Sequence, residues 1–184
     1  MSKKVIVLLA DGFEDVEAIT PIDYLRRAGI EVTTASISDN LIVTSRWGGI
    51  KITADTKLSD IKDNNWDAVI LPGGMPGAEK LAASKETGAL LLKTDSEKKL
   101  ICAICASPAL ILAPLGILKN KNFTCYPGME EKVKDGKHSE ERVIIDGNII
   151  TSRSAGTAGE FSIAIIAYLI GEEASKKIAQ TVLL

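Results

Sequence analysis

The sequence predicts an α/β fold in which helices cover both faces of a mostly parallel sheet. Short apolar runs alternate along the chain with segments of helical spacing. The runs are apolar throughout, which is typical of parallel strands covered on both faces. With 184 residues, 46% of them apolar, the chain can bury one sizeable core. We therefore expect a single domain over residues 1–184.

The strands of this sheet are expected where the apolar runs lie. They cover residues 4–10, 30–36, 67–72, 100–104 and 148–152. Two further stretches indicate small antiparallel pieces. One is residues 41–54, and the other is a hairpin about Asp146 and Gly147, a pair that favours a two-residue turn.

Helix boundaries are marked by proline, glycine and capping residues. Pro21 is a favoured first-turn residue and Gly29 a usual C-terminal stop, so a helix is expected between them. Residues 157–160, Thr-Ala-Gly-Glu, have capping-box spacing and predict the start of another helix. The Ala- and Leu-rich residues 108–116 predict a third.

An uncharged stretch, residues 100–118, raises the possibility of a transmembrane helix. Pro108 and Pro114 interrupt it, and it divides into a β-rich piece and a helical piece. A buried strand followed by a helix explains the stretch better. We therefore expect no membrane segment.

Charge and cysteine content narrow the class of protein further. A net charge of −2 provides no basic surface for nucleic acid or anionic lipid, so partners are expected to be small molecules or copies of the chain. Three cysteines without paired spacing argue against a disulfide framework and are typical of a reducing compartment. The N-terminal run is interpreted as a strand, which predicts a cytoplasmic protein.

Cys105 follows the strand at residues 100–104, where chemistry gathers in open α/β sheets. This position predicts a nucleophile elbow, in which the N-terminus of the next helix lowers the pKa of the thiol. The alternative is an inert buried cysteine, and position alone leaves both open. Cys102 is interpreted as a core residue. Cys102 and Cys105 together make only a weak zinc or redox motif.

The glycine-rich loop at residues 73–77 also follows a strand, which raises the possibility of a phosphate site. It contains neither G-x-G-x-x-G nor a Gly-Lys-Ser/Thr ending, so nucleotide binding is not expected. A simple turn remains the alternative. We expect no cofactor and no metal.

Four motifs together resemble the DJ-one branch of the ThiJ/PfpI superfamily. They occur in order from the first strand to the last helices: LADGFEDVEAITPIDYLRRAG, VILPGGMPGA, CAICASP and TSRSAGT. The resemblance implies a flavodoxin-like (Rossmann-like) sandwich that forms a homodimer. It also implies that Cys105 is the reactive cysteine, that Glu17 is a protonated carboxyl beside it, and that the N–H groups of Gly74 and Ala106 form an oxyanion site.

The resemblance extends to residues around this site. Arg27 and Arg46 match family arginines near the active-site region and the dimer contact. Ser154 and Ala155 stand where the family usually has Gly-Pro, in a loop that would border the pocket. An alternative for the arginines is solvated surface charge, and for the loop a helix cap.

Two departures bear on the chemistry. Tyr126 stands where some members carry a histidine close to the cysteine, and the chain's one histidine, His138, lies in a polar stretch expected to be an exposed loop. A Cys-His pair is therefore not expected. Ala106 occupies the place where the protease branch has histidine, so peptidase activity is not expected either. Cys125 is interpreted as a core or rim cysteine.

Two functions remain open. In the first, Cys105 attacks a 2-oxoaldehyde such as methylglyoxal, or its adduct on a protein, and Glu17 moves protons in the resulting hemithioacetal. In the second, oxidation of Cys105 to the sulfinic acid makes the protein an oxidative-stress sensor or chaperone. Both use the same residues, so the sequence does not separate them.

Overall fold

The structure is a computed structural model and describes residues 2–47, 49–61 and 65–184. Its strands are β1 (Lys4–Leu9), β2 (Glu31–Ser36), β3 (Ile42–Thr44), β4 (Lys51–Thr53), β5 (Thr56–Lys57), β6 (Ala68–Leu71), β7 (Leu100–Ile104), β8 (Asn122–Phe123), β9 (Lys137–His138), β10 (Val143–Asp146) and β11 (Ile149–Ser152). Its α-helices are α1 (Asp15–Arg27), α2 (Gly77–Ala83), α3 (Lys85–Ser96), α4 (Ala158–Ile170) and α5 (Glu172–Val182).

Within the described residues, seven strands form the central sheet in the order β10-β11-β7-β6-β1-β2-β5. All neighbours are parallel except the β10–β11 hairpin at one edge. The mostly parallel sheet and the five main strands are confirmed, each to within one residue at either end. The hairpin about Gly147 and the antiparallel pair β3–β4 within residues 41–54 are confirmed as well.

Two apolar layers cover the sheet. Buried residues of α1, α4 and α5 pack on one face against side chains such as Val7, Ile70 and Cys102. Buried residues of α2 and α3 pack on the other face against Leu8 and Leu71. Helices on both faces, as the sequence predicts, explain why strand runs are apolar at every position.

The order of the strands determines where a site can form. From β1 the chain proceeds outward to β2 on one side, and β6, β7 and β11 then continue on the other side. The sheet therefore has a switch point between β1 and β6, and ligands of open α/β sheets bind in the crevice at such a point. The segments after β1, β6 and β7 all open onto this crevice.

The first helix begins earlier than Pro21 indicates. It starts at Asp15, and the Glu14 side chain accepts a hydrogen bond of 2.7 Å from the N–H of Glu17. Pro21 lies inside the helix with its ring buried, although proline cannot donate the backbone hydrogen bond of a helix interior. Starting the helix at Asp15 is what places Glu17 in a rigid first turn. The predicted stop is confirmed, since the helix ends before Gly29.

Two other helix predictions need correction. The start of α4 is confirmed, with Thr157 at the N-cap and Ala158 as the first helical residue, but the capping-box hydrogen bonds lie one turn earlier, between Ser154 and Thr157. Glu160 instead pairs with Arg142, at 2.7 Å. After β7, the expected helix is a short π-helical turn, Pro108–Leu112, followed by turns. Among the described residues, no helix combines the length and apolar character needed to cross a membrane.

Candidate active site

Cys105 lies directly after β7 in a strained backbone conformation. Its φ is 65°, in the left-handed region that residues other than glycine avoid at a cost of about 1–2 kcal/mol. Two hydrogen bonds hold it there: its N–H donates to the Ser152 carbonyl at 3.0 Å, and its carbonyl accepts from the Tyr126 N–H at 2.8 Å. The side chain is only partly buried, whereas Cys102 and Cys125 are buried. The geometry is that of a nucleophile elbow.

Glu17 is wholly buried in the first turn of α1. The Gly73 N–H donates to its Oε2 at 2.9 Å, while Oε1 has no hydrogen-bond partner among the described residues. A Cβ added at Gly73 would lie 2.6 Å from Glu17 Oε2 and 2.7 Å from Cys105 Cβ. The carboxyl and the cysteine therefore both lie against Gly73, and only glycine leaves room for both.

The carboxyl and the thiol share one buried environment, which raises the pKa of each. Burial raises the pKa of Glu17 to about 7, although the nearby Cys105 side chain and the hydrogen bond from the Gly73 N–H oppose the rise. Burial also raises the pKa of the Cys105 thiol, and a negative Glu17 raises it further. The prediction that a helix N-terminus lowers the pKa of the Cys105 thiol is therefore wrong. Desolvation of the sulfur raises this pKa by more than the nearby N–H groups lower it.

The backbone N–H groups of Ala106 and Gly74 lie near the Cys105 sulfur and counteract part of this rise in its pKa. Gly74 has a φ of 89°, and a Cβ there would lie 2.4 Å from the Glu14 nitrogen, so the loop can approach this closely only with glycine. The Ser107 hydroxyl donates to the Pro72 carbonyl at 2.6 Å and ties the elbow to the loop after β6. Two backbone donors thus face one partly exposed sulfur.

A cleft of about 410 Å³ opens over Cys105. It is lined by Glu14, Glu17, Arg46, Trp47, Gly74, Met75, Cys105, Ala106, Tyr126, Met129, Ser154 and Ala155. The structure brings together every candidate site residue except Arg27. The loop at residues 154–155 borders the cleft although it lacks Gly-Pro, and Tyr126 lines it with its side chain about half exposed (48%).

Arg27 lies outside the cleft. It is in the last turn of α1, exposed, and its Nε donates to Asp23 at 2.8 Å. Glu17 is ten residues earlier in the same helix, a separation of about 15 Å along the axis. Within this chain Arg27 is therefore a solvated surface charge paired with Asp23.

Four residues of the cleft were not predicted as site residues from the sequence. Trp47 lies beside Arg46, whose guanidinium is 4.4 Å from the centre of the indole ring. Met75 and Met129 line the walls, and Glu14 lines the cleft as well as capping α1. Met75 is within the glycine-rich loop, so its position was a usable signal. Met129 and Trp47 reach the cleft through the conformation of their loops, and no sequence motif marks either of them.

One cluster of potential metal ligands occurs among the described residues, and it lies outside the list of cleft residues. It consists of Cys125, Glu130 and His138. The cleft itself contains one cysteine and two carboxyl groups, of which Glu17 is wholly buried and hydrogen-bonded to Gly73.

The fold and the site define a class: an α/β sandwich with a strained cysteine after one central strand and a buried carboxyl after another. The chain matches the model of the DJ-1/PfpI family over residues 3–168. It belongs to the DJ-1/PfpI family, as the resemblance of its motifs indicates.

Individual relatives agree with this assignment. Protein DJ-1 homolog B of Arabidopsis thaliana is 41% identical over 181 residues, which cover 98% of this chain and 41% of that protein, so the chain spans less than half of this relative. The glutathione-independent glyoxalase DJR-1.2 of Caenorhabditis elegans is 36% identical over 170 residues, covering 91% of this chain and 89% of that protein. Oxidized Toxoplasma gondii DJ-1 superimposes with a TM-score of 0.95 at 38% identity, covering 99% and 98% of the two chains.

Proposed function

We propose that this chain is a cofactor-independent glyoxalase or deglycase that acts on 2-oxoaldehydes such as methylglyoxal, or on their adducts with proteins. The observation that carries the proposal is the placement of Glu17, with a pKa of about 7, against the same glycine as Cys105. A carboxyl group that titrates near neutral pH can both accept and return a proton. The similarity to a relative named as a glutathione-independent glyoxalase supports the reaction class.

The first step is addition of the thiol to the aldehyde. The C–S bond forms while the thiol proton passes to ionised Glu17, and the carbonyl electron pair moves to oxygen. This base assistance matters because burial raises the pKa of the Cys105 thiol. The N–H groups of Gly74 and Ala106 face the sulfur and would donate to the new oxyanion, which Glu17 then protonates.

The second step is a proton shift within the hemithioacetal. Glu17 removes the proton from the carbon bonded to sulfur, and a proton is returned to the neighbouring carbon. The hydroxyl proton of the hemithioacetal passes to the neighbouring carbonyl oxygen, which gives a lactoyl thioester on Cys105. Water cleaves the thioester, releasing lactate and the thiol. The net reaction adds one water to methylglyoxal, with no change of oxidation state overall.

The test is lactate formation from methylglyoxal without added metal or glutathione. Wild type should produce lactate catalytically, whereas Cys105→Ser and Glu17→Gln should lose it. Lactate is the required readout because any thiol consumes aldehyde by forming a reversible adduct. Cys102→Ser, which changes a buried core cysteine outside the cleft, is the matched control. Undiminished lactate formation by Cys105→Ser would refute the proposal.

A second candidate function, a redox sensor or chaperone, is favoured by one observation. Cys105 is only partly buried, while Cys102 and Cys125 are buried, so oxidation should be selective. Mild peroxide should then add two oxygens to Cys105 first, giving the sulfinic acid, as located by mass spectrometry of peptides. Oxidation spread over all three cysteines would count against this function.

A further inference from the structure

Three potential metal ligands meet close to the cleft residue Tyr126. One belongs to the cysteine directly before Tyr126, and the other two belong to residues that follow it. The three ligands are the sulfur of Cys125, a carboxylate oxygen of Glu130 and a ring nitrogen of His138, and these atoms all lie within 4.8 Å of one another. None of the three takes part in the reaction proposed above. The spacing is Cys-x4-Glu-x7-His, and His138 is the one histidine of the chain.

Local structure brings these residues together. Strand β8 pairs in parallel with β9, which places His138 opposite Phe123, two residues before Cys125. The His138 ring packs at a tilt on the Phe123 ring, with 5.5 Å between centroids. Glu130 begins a 3-10 turn that ends at Lys132, and this turn directs its side chain back toward Cys125. The three ligands thus come from three separate pieces of backbone.

Glu130 supplies a second, independent observation. Its Oε2 is buried and has no hydrogen-bond partner among the described residues. A buried carboxylate oxygen without a partner costs about 1–3 kcal/mol or more, and such groups are normally satisfied by a donor, a water or a cation. This oxygen belongs to the same side chain that lies beside the Cys125 sulfur and the His138 ring.

We propose that Cys125, Glu130 and His138 form a binding site for a divalent transition metal of the Zn²⁺ class. Thiolate, imidazole and carboxylate are the three ligand types that Zn²⁺ takes in proteins, and three protein ligands leave a fourth position for water. The hard cations Mg²⁺ and Ca²⁺ are disfavoured because they require oxygen ligands and the cluster offers only one such side chain.

The geometry requires a modest contraction. In a tetrahedral site with Zn–S and Zn–N bonds of about 2.3 and 2.0 Å, ligand atoms are about 3.5 Å apart. Because the three ligand atoms lie within 4.8 Å of one another, they need to approach by no more than roughly 1 Å on binding. His138 is exposed, so its side chain can supply this movement without repacking the core.

Two features oppose metal binding, and neither excludes a zinc site. They are the raised pKa of the Cys125 thiol and the positive charge of Arg153. Burial and the neighbouring Glu130 raise the pKa of Cys125 to about 12, while Arg153 lowers it. The resting group is therefore a thiol, and Zn²⁺ must displace its proton, so each bound ion releases one proton from sulfur. The positive Arg153 weakens the affinity for a cation, but the charge of Glu130 offsets it.

The site adjoins the cleft without being part of it. Cys125 directly precedes Tyr126, whose N–H donates to the carbonyl of Cys105 at 2.8 Å. Met129, which lines the cleft, directly precedes Glu130. A metal here would hold the segment that carries two cleft residues, but the proposal concerns binding and is independent of the reaction at Cys105.

The experiment measures Zn²⁺ binding to the reduced, chelator-treated full chain by calorimetry and by equilibrium dialysis. Wild type should bind about one Zn²⁺ per chain. His138→Ala should lose more than about tenfold in affinity, since loss of even an outer partner costs that much at metal sites. Glu130→Gln should behave likewise, with Glu131→Gln, its exposed neighbour, as matched control.

Cobalt distinguishes the site from the catalytic cysteine. Co²⁺ bound to a thiolate gives an intense sulfur-to-metal absorption in the near ultraviolet, which should disappear in Cys125→Ser and persist in Cys105→Ser. His138→Ala removes an exposed ligand and does not depend on refolding of the buried core. The proposal is overturned if wild type binds no Zn²⁺, if His138→Ala binds it as tightly as wild type, or if the cobalt band is lost in Cys105→Ser instead.

Discussion

At the scale of single residues, Glu17 links the proposed chemistry to stability. Its pKa is about 7 in the folded protein against an ordinary value of 4.5, because burial disfavours the charged form. The folded state therefore binds more protons than the unfolded state between these two values, and stability falls as pH rises through them. The buried carboxyl is a stability cost that the site retains for its proton transfer.

Glu17→Gln should remove this pH dependence. From about pH 4.5 to above pH 7, wild type should lose about 3 kcal/mol relative to the variant, since one pKa unit corresponds to about 1.4 kcal/mol. Urea unfolding at pH 5 and pH 8 measures the difference. Glu131→Gln, at an exposed position, should show no such change. An equal stability difference between wild type and Glu17→Gln at both pH values would contradict the raised pKa.

Gly73 is the second residue on which the site depends. In Gly73→Ala the new methyl group would meet Glu17 Oε2 at 2.6 Å and Cys105 Cβ at 2.7 Å, so one of the two groups must move. We expect lactate formation to fall about a hundredfold, the size of effect that a shift of about 1 Å produces in an active site. Steady-state kinetics with methylglyoxal provides the check. Activity within a fewfold of wild type would show that the two groups need not lie this close.

At the scale of elements, α3 offers a matched glycine where substitution should help. Gly88 lies inside this helix, and a Cβ there would meet only Leu115 Cδ2 at an ordinary 3.7 Å. Gly88→Ala should stabilise the protein by about 0.5–1 kcal/mol, because alanine loses less backbone entropy in a helix. The urea midpoint should rise with the slope unchanged. A lower midpoint would mean that the helix packs more tightly here than 3.7 Å indicates.

Helix α1 shows how an element positions chemistry. Its glutamate cap at Glu14 starts the helix six residues before Pro21, the residue that marks the start in sequence. Local preference for proline in a first turn is weak compared with a cap and an amphipathic face that packs on the sheet. The earlier start brings Glu17 to the crevice and places Arg27 at the far end of the helix.

At the scale of the whole molecule, the homodimer remains a prediction. The start of α1 lies beside the β3–β4 pair through the bridge between Phe13 and Ser45, and exposed apolar side chains occur on both, including Val16, Ile19 and Ile42. Wild type should sediment at twice the chain mass of 19.6 kDa. Ile19→Glu should shift it to the monomer, whereas Ile145→Glu, at the exposed hairpin on the sheet edge, should not. A monomeric wild type would refute this prediction.

The amino-acid sequence alone was sufficient to predict the sheet and the residues that follow its strands. Apolar runs are local signals, and a strand covered on both faces needs little else to be recognised. Because the carboxyl ends of parallel strands meet at one edge, Cys105 and Gly74 could be expected in one site. Selecting Glu17 over Glu14 rested on the family resemblance and not on spacing.

The electrostatics and the composition of the sites, in contrast, depend on how the chain packs in three dimensions. The direction of the Cys105 pKa shift depends on how deeply the sulfur is buried and on the negative charge of Glu17 beside it, neither of which neighbours in sequence reveal. Likewise, Cys125 and His138 are thirteen positions apart, and their approach depends on the pairing of two short strands, β8 and β9. Strands of two residues carry too little pattern to predict, because pairing partners and not local preference hold them in place.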